Sequence, residues 1–232
     1  MKKLIKLIRK KKNDILMLLD PKSKRHSLVG PAKLWKMKQK FQIKFLMEFG
    51  LLPHHNFLDI GCGTLRGGIP IINYLNTENY HGIEVRENVL HEARKELLES
   101  GLEKKKPNLT LFDDFKLLNF SMKFDVIFAF SVLIHLEDSI LEKCFEFIQR
   151  NLSSNGVFYA NVNITSHLDG SWQEFPVVFR SIEFYKKLAI KNNLSIKILG
   201  SLEELGHMSN SDRQNKQVMI EFKKIESYPK NI

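Results

Sequence analysis

One stretch of the 232-residue sequence gathers residue types that suit ligand chemistry: Asp59-Ile60-Gly61-Cys62-Gly63-Thr64-Leu65-Arg66-Gly67-Gly68, entered directly from the apolar run Asn56–Ile60. Gly61 and Gly63 lack side chains, so the chain can turn sharply and lay its backbone against a ligand. A helix opening after such a turn aims its free amide groups and positive dipole end at the same ligand. A dinucleotide site would space its glycines as G-x-G-x-x-G. Here Gly67 falls one position late, and Asp59 stands two places before the first glycine. A carboxylate there repels a pyrophosphate but suits an ammonium group. Glu84 ends the next apolar run, Tyr80–Glu84, where a carboxylate can accept both hydroxyls of a ribose. Together these features favour an adenosyl amino acid over a dinucleotide.

Other residues suit the handling of a second substrate. His135 closes the run Phe130-Ser131-Val132-Leu133-Ile134-His135. A histidine titrates near neutrality and suits a general base, although capping the next helix or touching the ligand stays open. Asn161 and Asn163 bracket the end of a fifth apolar run. His167, Trp172 and Phe175 belong to a polar insert after it, and His207 lies in a later Gly-containing loop. Each is a candidate for binding the second substrate, beside the plainer readings of strand end, core cover and turn. Cys62 is a small residue packed in the glycine loop rather than a nucleophile. No set of His, Cys and acidic residues has metal-ligand spacing, and His54-His55 beside Pro53 reads as an exposed turn.

The elements that must position these residues alternate. Strands are expected at Asn56–Ile60, Tyr80–Glu84, Leu109–Phe112, Phe124–Phe130 and Val157–Val162. Helices fall at about Gly67–Leu75, Asn88–Ser100 and Ser139–Leu152. Continuously apolar strands separated by helices predict an α/β fold, a doubly wound and mainly parallel seven-stranded sheet covered on both faces. A helix near Ser181–Asn193 and an antiparallel pair, Ser195–Leu199 and Gln217–Lys223, complete it. Before the sheet, a helix over residues 2–19 is followed by a loop, Asp20–Gly30, and by a second helix opening at Gly30-Pro31 and stopping at Gly50. The chain thus divides into a basic helical extension, 1–29, and a catalytic domain, 30–232.

The net charge of +10 is unevenly placed. Residues 1–44 hold 15 Lys/Arg against Asp14 and Asp20, whereas the remaining 188 residues hold 21 against 24 acids. The acidic body argues against a nucleic-acid partner, because such enzymes carry a basic stripe beside the site. The amphipathic stretch 2–19 offers three docks: an anionic membrane surface, the body or a second subunit, and nucleic acid. Two cysteines give no disulfide framework and no long apolar segment is present, so the expected place is the cytoplasm, with a peripheral contact at the inner membrane face through 2–19. Oligomeric state is not readable.

D-x-G-x-G after a first strand, an acid ending the second, acids after the third, and an F-D-x-I fourth strand resemble the class I S-adenosylmethionine-dependent methyltransferases. The resemblance spans about Phe41 to Phe222. It implies S-adenosyl-L-methionine as cofactor, with Asp59, Gly61, Cys62 and Gly63 along the methionine part and Glu84 on the ribose diol. It also implies Asp113, Asp114 and Phe115 at the adenine, and Phe130 and Ser131 beneath the sulfonium. One position departs from the pattern: Leu65 stands where many relatives carry a third glycine. The segments GCGTLRGG and FSVLIHL further resemble small bacterial methyltransferases of sugars and surface polysaccharides. A rossmann-like enzyme that O-methylates a sugar, sugar nucleotide or glycan precursor is therefore expected, with His135 as base and Asn163, His167, Trp172 and His207 toward the acceptor. No N-P-P-Y-like tetrapeptide follows the fourth strand, which speaks against base-amino methylation. An RNA or protein methyltransferase recruited through the basic N-terminus, and a non-catalytic adenosyl-binding scaffold, are the alternatives.

Overall fold

A computed structural model of the chain describes residues 20–164, 169–209 and 211–225. The helix expected over residues 2–19 lies outside the described residues. The segment expected as a loop after it is instead partly helical: α1 spans Pro21–Ser27. Its signal is the Asp-Pro pair. The Asp20 carboxylate accepts from Ser23 N at 2.8 Å, and Pro21 sits at the first helical position, where its missing N–H costs nothing. A 3-10 turn, Ala32–Leu34, then leads into α2, Trp35–Glu48.

The body alternates as expected: β1 (Phe57–Ile60), α3 (Gly68–Tyr74), β2 (Tyr80–Glu84), α4 (Glu87–Glu99), β3 (Asn108–Leu111), β4 (Phe124–Ala129), α5 (Asp138–Asn151) and β5 (Leu152–Val162). Then follow a small hairpin, β6 (Gly170–Trp172) and β7 (Phe175–Val177), and α6 (Ile182–Lys191), β8 (Leu194–Ser201), α7 (Asp212–Asn215) and β9 (Val218–Lys224). The main sheet has seven strands in the order β3-β2-β1-β4-β5-β9-β8. β9 runs antiparallel to both β5 and β8, and the other pairs are parallel. Strand order reverses between β1 and β4, which opens a crevice beyond their carboxyl ends. β5 begins at Leu152 and not at Val157, because Leu152 pairs with Phe124 before an irregular stretch after which the ladder resumes at Val157. The connection between β8 and β9 is 16 residues long and contains α7, where a short loop was expected.

Side chains alternate between two cores, one on each sheet face. Phe57, Val126, Phe128 and Tyr159 pack with α2, α3 and α4, whereas Leu58, Ile60, Ile127 and Phe158 pack with α5 and α6. Phe128 and Phe158 are fully buried, each contributing about 1.5–3 kcal/mol by burial. The segment before the sheet is fastened to this body by Arg25, itself 4% exposed, which donates to Glu92, Glu96 and Glu99 of α4 at 3.1, 2.8 and 2.6 Å. His26 stacks on Trp35. Among the described residues no helix is long and apolar enough to cross a membrane.

Candidate active site

The turn after β1 is built from left-handed backbone: Gly61 has φ +68° and Gly63 φ +56°. A Cβ at Gly61 would stand 2.6 Å from Val132 Cγ2, and one at Gly63 would stand 2.6 Å from Val29 Cγ1. Glycine is therefore required twice over. Leu65 takes the same region, φ +61°, with its side chain fully buried in the core beside α3. Burial offsets the roughly 1–2 kcal/mol that left-handed backbone costs an L-residue. The departure at Leu65 is thus one of residue type and not of backbone.

Hydrogen bonds tie this turn to the end of β2. Gly61 N and Cys62 N both donate to Ile83 O, at 2.8 and 3.0 Å. Gly63 N donates to Glu84 Oε2 at 3.1 Å, while Val85 N and Arg86 N each donate to Oε1 at 3.1 Å. Arg86 Nε adds a contact to Oε1 at 3.3 Å. The Glu84 carboxylate is held by the backbone that a ligand would lie on, and it faces a cavity of about 490 Å³. Gly61, Gly63, Asp113, Phe115, Phe130 and Ser131 line the same cavity. Asp114 lines it too, with its carboxylate drawn to Lys143 Nζ at 3.0 Å.

Asp59 behaves differently. It is 5% exposed, accepts from Tyr80 OH at 2.7 Å, and does not reach the cavity wall. Burial pushes its carboxyl up to about 7. Cys62 is also turned inward, packed on Gly82, and burial raises its thiol well above the usual value. The implied direct contacts of these two side chains with a ligand are corrected to a supporting position behind the turn.

The far end of the cavity is assembled from distant segments. His135, in a 3-10 turn at Leu133–His135, has Nδ1 2.7 Å from Pro176 O of β7. A carbonyl can only accept, so Nδ1 carries the proton and Nε2 keeps its lone pair. Burial lowers the imidazole below its ordinary value, and the charges of Arg86 and Arg213 push the same way. The Trp172 and Phe175 rings lie 5.5 and 6.0 Å from the His135 ring. Arg86 stands over Phe175 at 5.2 Å and reaches Gln173 Oε1 and Leu28 O, each at 3.3 Å.

Below this wall runs a chain of amides. Ser131 N (at a residue with φ +60°) donates to Asn161 Oδ1 at 2.7 Å, and Asn161 Nδ2 donates to Gln217 Oε1 at 2.7 Å. Gln217 Nε2 donates to Asn163 Oδ1, and Asn163 Nδ2 to Val178 O. Both ends of the Asn163 amide are thus used, and it does not line the cavity. His207 also stands behind the wall, 1% exposed, edge-on to Phe41 at 5.1 Å, with Nδ1 beside Asn215. Burial lowers its imidazole to about 4. These placements correct the expectation that Asn163 and His207 face an acceptor. His167 lies outside the described residues. Among the described residues no group of three or more His, Cys, Asp or Glu could hold a metal.

Residues 58–158 match the family model described as a methyltransferase domain. The matched segment runs from β1 to β5 and contains the glycine turn, Glu84 and His135. Over that stretch the chain is similar to a methyltransferase domain. None of the curated proteins compared matches its sequence. Among solved structures, a S-adenosylmethionine-dependent methyltransferase from Clostridium acetobutylicum ATCC 824 is 17% identical with a TM-score of 0.62, covering 82% of this chain and 92% of its own. The magnesium protoporphyrin IX methyltransferase from Synechocystis PCC 6803, solved with bound SAM, is 16% identical with a TM-score of 0.65, covering 90% and 93%. A glycopeptide N-methyltransferase is 12% identical with a TM-score of 0.63, covering 80% and 93%. Likeness at these identities concerns the fold.

Several residues that line the cavity escaped the sequence reading. Lys38 and Arg66 line the cavity, as do Arg86, Arg213 and Gln217. Lys38 did leave a trace: it falls among Trp35, Phe41 and Phe45 on the buried stripe of α2, where a lysine is out of place. Arg66 stood inside the glycine motif. Arg86, by contrast, meets Leu28, Gln173 and Phe175 only through the fold.

Proposed function

We propose that the enzyme transfers the cofactor's methyl group to a hydroxyl oxygen of a small acceptor, a sugar, sugar nucleotide or glycan precursor, with His135 as general base. The observation that carries this reading is the Pro176 carbonyl on Nδ1, which leaves His135 Nε2 unprotonated and available on a cavity wall. The lowered imidazole keeps that nitrogen neutral at physiological pH. Glu84 would take the ribose hydroxyls, Gly61 and Gly63 the methionine chain, and Asp113 with Phe115 the adenine.

The cofactor supplies a methyl carbon already activated by positive sulfur. When bound there, it would pass that methyl to an acceptor oxygen, the C–S electron pair staying on sulfur as the O–C bond formed. His135 Nε2 would take the hydroxyl proton, so the products would be a methyl ether, the thioether form of the cofactor and an imidazolium. Positioning carries most of such a displacement and base catalysis a further share. Trp172 and Phe175 beside His135 offer flat apolar faces for the C–H side of a sugar ring, while their edges leave the hydroxyls free.

The test is turnover of S-adenosylmethionine against a panel of nucleotide sugars, with the product identified by mass spectrometry and the rate followed against pH. A methyl ether is expected. The rate should be flat at neutral pH and fall only in acid, through a value below the ordinary histidine 6.5, as His135 gains its proton. Methylation confined to nitrogen of a protein or RNA would contradict the reading.

A further inference from the structure

Cations normally enter a protein interior with a partner, because an unpaired buried charge costs several kcal/mol. Two cations of this cavity obey that rule: Arg86 meets Glu84 at 3.3 Å, and Lys143 meets Asp114 at 3.0 Å. Lys38 and Arg66 do not. Lys38 is 6% exposed, lines the cavity, and among the described residues its ammonium has neither an ion pair nor a hydrogen bond. Arg66 donates through Nη1 to Val29 O at 2.7 Å, but its Nε is buried without a partner. His207 Nε2, under the electrostatic influence of both, is likewise buried and unpartnered. The two cations also act on one another: burial and the nearby Arg66 charge bring Lys38 down to about 7. The counter-charge that acts on Arg66 is Asp59, which accepts from Tyr80 and lies behind the wall.

We propose that Lys38 and Arg66 form a receptor for one acid group of a bound ligand. The site is complete only when an anion enters it. That anion is either the carboxylate of the cofactor's methionine tail or a carboxylate or phosphate on the methyl acceptor. The inference rests on the reading of the cavity as the cofactor and acceptor site. Arg66 follows Gly61 and Gly63 on the same turn, so a methionine chain laid along that turn runs toward it. An acid group on the acceptor would be equally served, since Gln217 and Arg213 line the cavity from the β8–β9 connection.

Calorimetry on the full chain tests this in two arms, with Lys38→Met and Arg66→Met beside wild type. In the first arm S-adenosylmethionine is compared with its decarboxylated form. If the receptor holds the methionine carboxylate, wild type loses roughly 10- to 100-fold in affinity without it, and each variant loses far less. In the second arm protein saturated with S-adenosylhomocysteine is titrated with inorganic pyrophosphate and with glucuronate. Binding of either by wild type and its loss in the variants assigns the receptor to the acceptor. Variants that bind all four probes as wild type does would overturn the proposal. So would a drop in thermal midpoint of the ligand-free variants with an equal loss for every probe, because that marks a structural role. The receptor instead predicts an unchanged or raised midpoint once a buried unpaired charge is removed. Folded wild type that binds no S-adenosylmethionine at all would count against the proposed function and not against the receptor alone.

Discussion

The two ends of the cavity are built by different physics. At the end proposed for the cofactor, the turn after β1 is fixed by main-chain hydrogen bonds to Ile83 and Glu84, and by glycines whose left-handed backbone admits no side chain. At the end proposed for the acceptor, His135, Trp172, Phe175 and Arg86 are placed by side-chain contacts between segments far apart in the chain. Arg86 and Gln173 are 87 positions apart, yet their bond joins the end of β2 to the β6–β7 hairpin. A backbone-built site tolerates little change and serves one ligand. A side-chain-built site can be rewritten by a few substitutions, which is how one fold supports many acceptors.

Substitutions at the two ends should therefore separate cofactor binding from turnover. The largest effect is expected for His135→Gln, which removes the base and lowers kcat roughly 100- to 10,000-fold. Its cofactor affinity should stay within about 2-fold of wild type by calorimetry, since a lost base is not a lost cofactor contact. Glu84→Ala should do the reverse, weakening S-adenosylmethionine roughly 10- to 100-fold through loss of charged hydrogen bonds. Arg86→Met touches both ends. Losing its contacts to Glu84, Leu28 and Gln173 should raise cofactor Kd and acceptor KM together, each by about 3- to 10-fold. If only one constant moved, Arg86 would belong to one end and the coupling drawn here would fail. Trp172→Ala is the mildest, raising acceptor KM about 2- to 10-fold with cofactor affinity unchanged, as expected for one stacking face.

The same contrast explains what could be read from residues alone. The inner parallel strands β1 and β4 were legible because they are buried on both faces and read as largely apolar runs, Phe57–Ile60 and Phe124–Ala129. The glycine turn was legible because Gly61 and Gly63 answer a local backbone demand, and Glu84 because it ends the adjacent strand. Helix α1 was missed although Asp20-Pro21 signalled its start, since its apolar content is small and its anchor is the ion cluster of Arg25 with α4. Asn163 and His207 were assigned outward from their loops, but the amide chain and Phe41 that turn them inward come from other strands and helices. His135 was singled out by type and place, whereas the Pro176 carbonyl that sets its tautomer lies 41 residues on and leaves no mark in the sequence. Residues that serve their own neighbourhood are readable, and residues that serve a distant one are not.

The central claim is that Glu84 and the glycine turn form a preassembled seat for the adenosyl cofactor, ready before any acceptor binds. Isothermal titration of the full chain with S-adenosylmethionine and S-adenosylhomocysteine, in the absence of any acceptor, tests it most directly. The structure predicts one equivalent of each bound per chain by wild type and by His135→Gln alike, and markedly weaker binding by Glu84→Ala. Folded wild-type protein that gives no binding signal with either ligand, or a Glu84→Ala variant that binds as well as wild type, would contradict it.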